Sequence, residues 1–152
     1  KLMVTNVRSL LYKYDEAFIA VTENDVELFA ATETWLSSQV PGGVTNITSF
    51  HLIRKHRTDD RRGEVFCCYA KNDIKCSHLG ELESDDFEVL WISIRPIPLP
   101  LGVNFIMIGV VYHPPDHGNK PVMNHIQSTL DDVLSSSPNA FIIFAGDFNH
   151  FS

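Results

Sequence analysis

The sequence predicts an α/β or α+β fold. Strand-like segments outnumber helical ones, and several strands are apolar at consecutive positions. A strand buried on both faces needs a layer on each side of its sheet. The 152-residue length lies in the one-domain range, so one domain over residues 1–152 is expected. A hydrophobic content of 44% and a charged content of 20% exclude a disordered tail, a collagen-like repeat and a coiled coil. No apolar run approaches the roughly 20 residues of a membrane span, so no membrane partner is expected. The opening Lys1-Leu2-Met3-Val4 is neither a signal peptide nor an initiator and reads as a strand entered mid-chain.

In chain order, Leu2 to Asn6 is a short apolar strand. Ser9 then reads as the N-cap of a helix, with Leu10, Tyr14, Phe18 and Val21 at helical spacing and Leu11 beside them. Val26 to Ala31 suits a buried strand and runs into Thr32-Glu33-Thr34-Trp35. Pro41-Gly42-Gly43 is a turn. Ile47 to Ile53, Val65 to Ala70 and Val89 to Ile94 are extended, whereas Pro96 to Pro100 is excluded from a sheet interior. Phe105 to Tyr112 is a strand stopped by Pro114-Pro115. In a second helix, Val122, Ile126, Leu130, Val133 and Leu134 share a face, and Ser135-Ser136-Ser137-Pro138 ends it. Ala140 to Ala145 is the last strand and stops at Gly146-Asp147-Phe148-Asn149.

Twelve basic and nineteen acidic residues give a net charge of −7, which argues against phosphate binding over the whole surface but not against a local basic track. Cys67, Cys68 and Cys76 make no disulfide framework, so reduced thiols and an intracellular setting are expected. Cys76 and His78 lack the second pair that a zinc site needs.

Polar residues fall at strand ends: Asn6, Glu33, Tyr112 and Asp147. Ligands in layered α/β proteins gather there. Glu33 and Asp147 are of a type to share a hard cation, and oxygen ligands with open water positions suit Mg²⁺ better than zinc. Asn149 lies two residues after Asp147 and on an extended chain shares its face. Taken singly, each has a plainer reading. Glu33 reads as a solvated residue, Gly146-Asp147-Phe148-Asn149 as a tight turn, Tyr112 as a packed strand end and Asn6 as a turn former.

Together, Asn6-Val7-Arg8-Ser9-Leu10, Thr32-Glu33-Thr34-Trp35-Leu36, Gly109-Val110-Val111-Tyr112-His113-Pro114-Pro115 and Gly146-Asp147-Phe148-Asn149 resemble the endonuclease/exonuclease/phosphatase superfamily. They most resemble its branch of non-LTR (LINE-type) retrotransposon endonuclease domains. Arg62-Gly63-Glu64-Val65 resembles that branch's basic turn. The resemblance implies a four-layer α/β/β/α sandwich with two mixed sheets. It implies a magnesium-dependent phosphodiesterase, with manganese as a substitute metal, that nicks DNA to expose a 3′-hydroxyl for reverse transcription in the nucleus. Glu33 would be the metal ligand, with Asn6 holding the metal's water network. Tyr112 would contact the phosphate, and Asp147 and Asn149 would position the attacking water or stabilise the transition state. Arg57, Arg61 and Arg62, beside Arg54 and Lys55, would touch the DNA backbone. A solvated hairpin of mixed charge, with Asp59 and Asp60, is the plainer reading of that cluster.

The family pattern continues past Gly-Asp-Phe-Asn through further strands to a Ser-Asp-His-type motif, so the chain reads as C-terminally truncated. Losing a catalytic histidine removes on the order of 10²–10⁴-fold of rate. Impaired cutting is therefore expected. The alternatives are an inactive remnant or weak nucleic-acid-binding module, and a phosphodiesterase acting on a non-nucleic-acid phosphoester. Oligomeric state is not legible.

Overall fold

A computed structural model describes residues 1–36, 40–55, 64–114 and 118–149. The chain divides into two compact units, Lys1–Ile74 and Lys75–Ser152. Among the described residues each unit is an α/β structure with one four-stranded mixed sheet and one α-helix.

The first unit contains β1 (Leu2–Asn6), α1 (Tyr14–Glu23), β2 (Leu28–Leu36), β3 (Phe50–Lys55) and β4 (Glu64–Lys71), with strand order β1-β2-β4-β3. β1 and β2 are parallel and joined through α1, and the other pairs are antiparallel. Ala17 and Val21 of α1 are buried in one cluster with Phe29, Ala31, Cys67 and Tyr69. The alternate residues Leu28, Ala30 and Thr32 are buried too, which explains the unbroken apolar run.

Two local expectations need correction. Ser9 is not a helix cap. Its amide donates to the Glu33 carbonyl at 2.8 Å, flanked by Val7 N–H to Thr32 O at 3.0 Å and Leu10 N–H to Thr34 O at 2.9 Å. The chain after β1 thus stays beside β2, and α1 starts at Tyr14 after a 3₁₀ turn over Leu11–Lys13. Leu11 is 44% exposed as a result. β2 also runs on to Leu36 instead of stopping at Glu33, because pairing with β4 resumes at Leu36–Glu64 after a register irregularity. Glu33 lies inside that irregularity.

The second unit contains β5 (Lys75–His78), β6 (Val89–Arg95), β7 (Phe105–Tyr112), α2 (Asn119–Ser136) and β8 (Ala140–Asp147), in strand order β5-β6-β7-β8. β7 and β8 are parallel and joined through α2. Val122, Ile126 and Val133 of α2 cluster with Trp91, Met107 and Val111. Leu134, expected on that face, is 39% exposed, because a step of one residue turns it about 100° round the helix from Val133. β5 was not legible in the sequence, since Lys75-Cys76-Ser77-His78 has no apolar alternation and is an edge strand.

Each unit therefore repeats one device, a parallel strand pair joined by a crossover helix. Candidate residues lie at the carboxyl ends of both pairs. Asn6 is in register with Thr32, one residue before Glu33, and Tyr112 is in register with Asp147. No described helix is long and apolar enough to cross a membrane.

Candidate functional site

The first unit supplies Asn6 and Glu33. The Asn6 side-chain amide donates to Glu33 Oε1 at 2.8 Å, and Asn6 Oδ1 accepts the Arg8 amide at 3.2 Å. Both hydrogen-bonding ends of the Asn6 amide are thereby fixed, which leaves Glu33 held on one oxygen with a second carboxylate oxygen besides. Glu33 is half-buried.

The backbone around this pair is strained. Arg8 (φ 43), Ser9 (φ 81), Glu33 (φ 51) and Trp35 (φ 52) are all in the left-handed region. Such residues cost roughly 1–3 kcal/mol each when they are not glycine. The three hydrogen bonds from the 7–10 segment to β2 hold the strain in place. A groove of about 250 Å³ opens beside Asn6, lined by Met3, Thr5, Lys13, Ala17 and Phe29 among others. Glu33 does not line it.

The second unit supplies Tyr112, Asp147 and Asn149. The His113 amide donates to the Asp147 carbonyl at 2.9 Å, which carries the β7–β8 pairing one residue past the strand. The Asn149 side-chain amide donates to the His113 carbonyl at 2.7 Å, and the Asn149 backbone N–H donates to Asp147 Oδ1 at 3.1 Å. Asn149 takes φ 43. Asp147 and Asn149 are thus joined through a turn and not by strand alternation, contrary to the expectation of an extended chain. With its amide committed to His113, Asn149 has Oδ1 to offer as an acceptor.

Two residues of these motifs act in ways the sequence reading missed. A Cβ on Gly146 (φ 142) would lie 1.9 Å from the Val111 carbonyl oxygen, so only glycine fits there. His113 is 4% exposed, and its Nε2 is hydrogen-bonded to Asn119 Oδ1 at 2.8 Å. It ties the end of β7 to the start of α2 and, through its backbone, to the Asp147–Asn149 turn. Its position between Tyr112 and Pro114 was the only signal available.

The structure pairs Asn6 with Glu33, and sets Tyr112 beside Asp147 with Asn149 on the following turn. Arg57, Arg61 and Arg62 lie outside the described residues. Their neighbours Arg54 and Lys55 do not form an open basic patch. Arg54 donates to the Val40 carbonyl at 3.0 Å and to Thr45 Oγ1 at 3.0 Å, and Lys55 is 8% exposed. Burial pushes the Cys76 thiol up to about 11, which keeps it protonated and a poor metal ligand at neutral pH. Among the described residues no three His, Cys, Asp or Glu side chains group to hold a metal. The oxygen donors of Glu33 and Asn6 are nonetheless of the hard type that fits magnesium.

No protein-family profile and no curated protein matches the sequence. Solved structures do match. The endonuclease domain of TRAS1, a telomere-specific non-LTR retrotransposon, aligns at a TM-score of 0.70 and 14% identity, over 99% of this chain and 59% of that one. The AP endonuclease LMAP from Leishmania major aligns at 0.68 and 17% identity, over 96% of this chain and 54% of that one. A 3′–5′ exonuclease (NExo) from Neisseria meningitidis aligns at 0.63 and 14% identity, over 97% and 57% respectively. The chain thus spans between half and three fifths of the length of these structures. Likeness at such identities speaks for architecture. With two mixed sheets and a parallel crossover in each, this chain carries the fold of the endonuclease/exonuclease/phosphatase superfamily.

Proposed function

We propose that the chain serves a divalent-metal-dependent phosphodiesterase that nicks DNA, as in a nuclear retrotransposon endonuclease. The observation that carries this reading is the Asn6–Glu33 hydrogen bond at 2.8 Å, set among four left-handed residues. Left-handed residues other than glycine cluster at functional sites. Glu33 would hold the metal, and Asn6 fixes which carboxylate oxygen remains available. Bound magnesium or manganese would neutralise charge on the phosphoryl group and its leaving oxygen.

This chain's own groups do the rest. The Tyr112 phenol donates a hydrogen bond to a phosphate oxygen. Asp147 takes the proton of the attacking water, and Asn149 accepts the water's second hydrogen at Oδ1. The turn that links Asp147 to Asn149 sets both acceptors before substrate arrives, which is the positioning such chemistry requires.

The test is nicking of supercoiled plasmid by the 152-residue chain with Mg²⁺ or Mn²⁺, with and without chelator. Conversion to open circle should vanish with chelator and fall about 10²-fold or more in Glu33→Ala and in Asp147→Ala. Cutting that persists in both variants overturns the proposal. Salt-dependent DNA binding without cutting replaces it with a binding module. Turnover of soluble phosphoesters with intact plasmid replaces DNA with another substrate class.

A further inference from the structure

Metal binding does not account for one feature bordering Glu33. Trp35 is 59% exposed, while Thr34 and Leu36 on either side are 0% and 1% exposed. Burial alternates over Thr32–Leu36, so Glu33 and Trp35 are the two outward positions. Both have left-handed backbones, which bulky side chains disfavour. This is not a fraying strand end. Ser9 and Leu10 donate to the Glu33 and Thr34 carbonyls, and Leu36 is in register with Glu64 of β4. The backbone is therefore braced on both sides of an indole that faces solvent.

The neighbouring chemistry selects a partner. The 8–13 segment, whose Ser9 and Leu10 pair with β2, is Arg8-Ser9-Leu10-Leu11-Tyr12-Lys13, with two cations and no acid. Arg8 and Lys13 are exposed, and Tyr12 is 89% exposed. Exposed aromatics interleaved with cations are what a nucleic-acid strand binds, its bases on the rings and its phosphates on the charges. With its backbone braced, only the indole's own two side-chain torsions are left to be fixed when a base covers it. On a chain of net charge −7, stacking adds an affinity that does not depend on the overall field.

We infer that Trp35 is a stacking platform for an unpaired or splayed nucleobase of the strand whose phosphate Glu33 serves. This rests on the DNA-directed reading of the site and adds the residue that contacts the base.

The chain's two tryptophans make the test direct, because Trp91 is 0% exposed and gives a constant background. A single-stranded oligonucleotide is titrated at low salt, with indole emission read on the unmodified chain and anisotropy read on a labelled oligonucleotide. The expected result is quenching of the solvent-exposed emission as anisotropy saturates. Trp35→Asn, which tolerates a left-handed backbone, should bind about tenfold more weakly or worse. Its melting temperature should stay within a few degrees of the parent's. Trp35→Phe should retain most of the affinity. Unquenched indole emission at saturating DNA, or equal affinity in Trp35→Asn, overturns the inference while leaving DNA as the substrate. An unmodified chain with no affinity for single-stranded or duplex oligonucleotide overturns the inference and the DNA-directed reading together.

Discussion

Tyr69 shows how one buried phenol organises the first unit. Its hydroxyl donates to the Thr45 carbonyl at 2.6 Å, and its ring stacks on Phe29 with centroids 5.9 Å apart. Arg54 reaches the same turn through Thr45 Oγ1, and Tyr14 OH donates to the Asn46 carbonyl. Three side chains from different elements thus fasten the segment that follows β2. Burial, more than any neighbouring charge, holds the Tyr69 phenol protonated well above its ordinary range. Its folded pKa is raised, so its contribution is complete below the unfolded value of about 10 and is lost as pH rises beyond it. The denaturation midpoint should therefore drop steeply above about pH 10. Tyr69→Phe should flatten that drop and cost about 1 kcal/mol at neutral pH, where the donor to Thr45 is gone. Urea titrations of both chains at neutral and alkaline pH check this. An equal alkaline drop in the two chains would assign it to other groups.

At the scale of elements, β6, β7 and β8 meet in a row that permits no side chain at its centre. Trp91, Gly109 and Phe144 are register partners across the three strands, and the two rings meet edge-on at 5.5 Å. A Cβ on Gly109 would come within 2.6 Å of Trp91 and 2.9 Å of Phe144. Gly109→Ala should cost about 1–3 kcal/mol by overpacking. The melting temperature should fall by several degrees, and Trp91→Phe in the same chain should restore part of the loss. Full stability in Gly109→Ala would mean that the rings move apart freely. β6 and β7 were legible in the sequence because they are apolar on both faces. The clearance at Gly109 was not, because it depends on residues 18 positions before it and 35 after. The same distinction holds at the site. Glu33 and Asp147 could be picked from motifs at strand ends. The bond from Asn6 to Glu33, the extension of β2 past Glu33 and the clamp at His113 depend on backbone pairings between distant segments, which local residue patterns do not encode.

For the whole molecule, the notable property is duplication of one device. Asn6 and Glu33 are carried by the β1–α1–β2 crossover, and Tyr112 and Asp147 by the β7–α2–β8 crossover. Each crossover has its helix packed in a cluster of its own. Residues on separate crossovers can serve separate events or one, and rates distinguish the two. Groups that act as a unit on a single bond give strongly non-additive losses, whereas independent contributions multiply. If Glu33 and Asp147 serve one phosphodiester, each single alanine variant should lose about 10²-fold in nicking rate. The double variant should then be slower than the slower single by no more than about threefold. Independent action predicts about 10⁴-fold for the double. Single-turnover nicking of plasmid by the four chains, with melting temperatures measured on each, separates these outcomes. A multiplicative loss with unchanged melting would show that Glu33 and Asp147 contribute independently and end the reading in which they act as one unit.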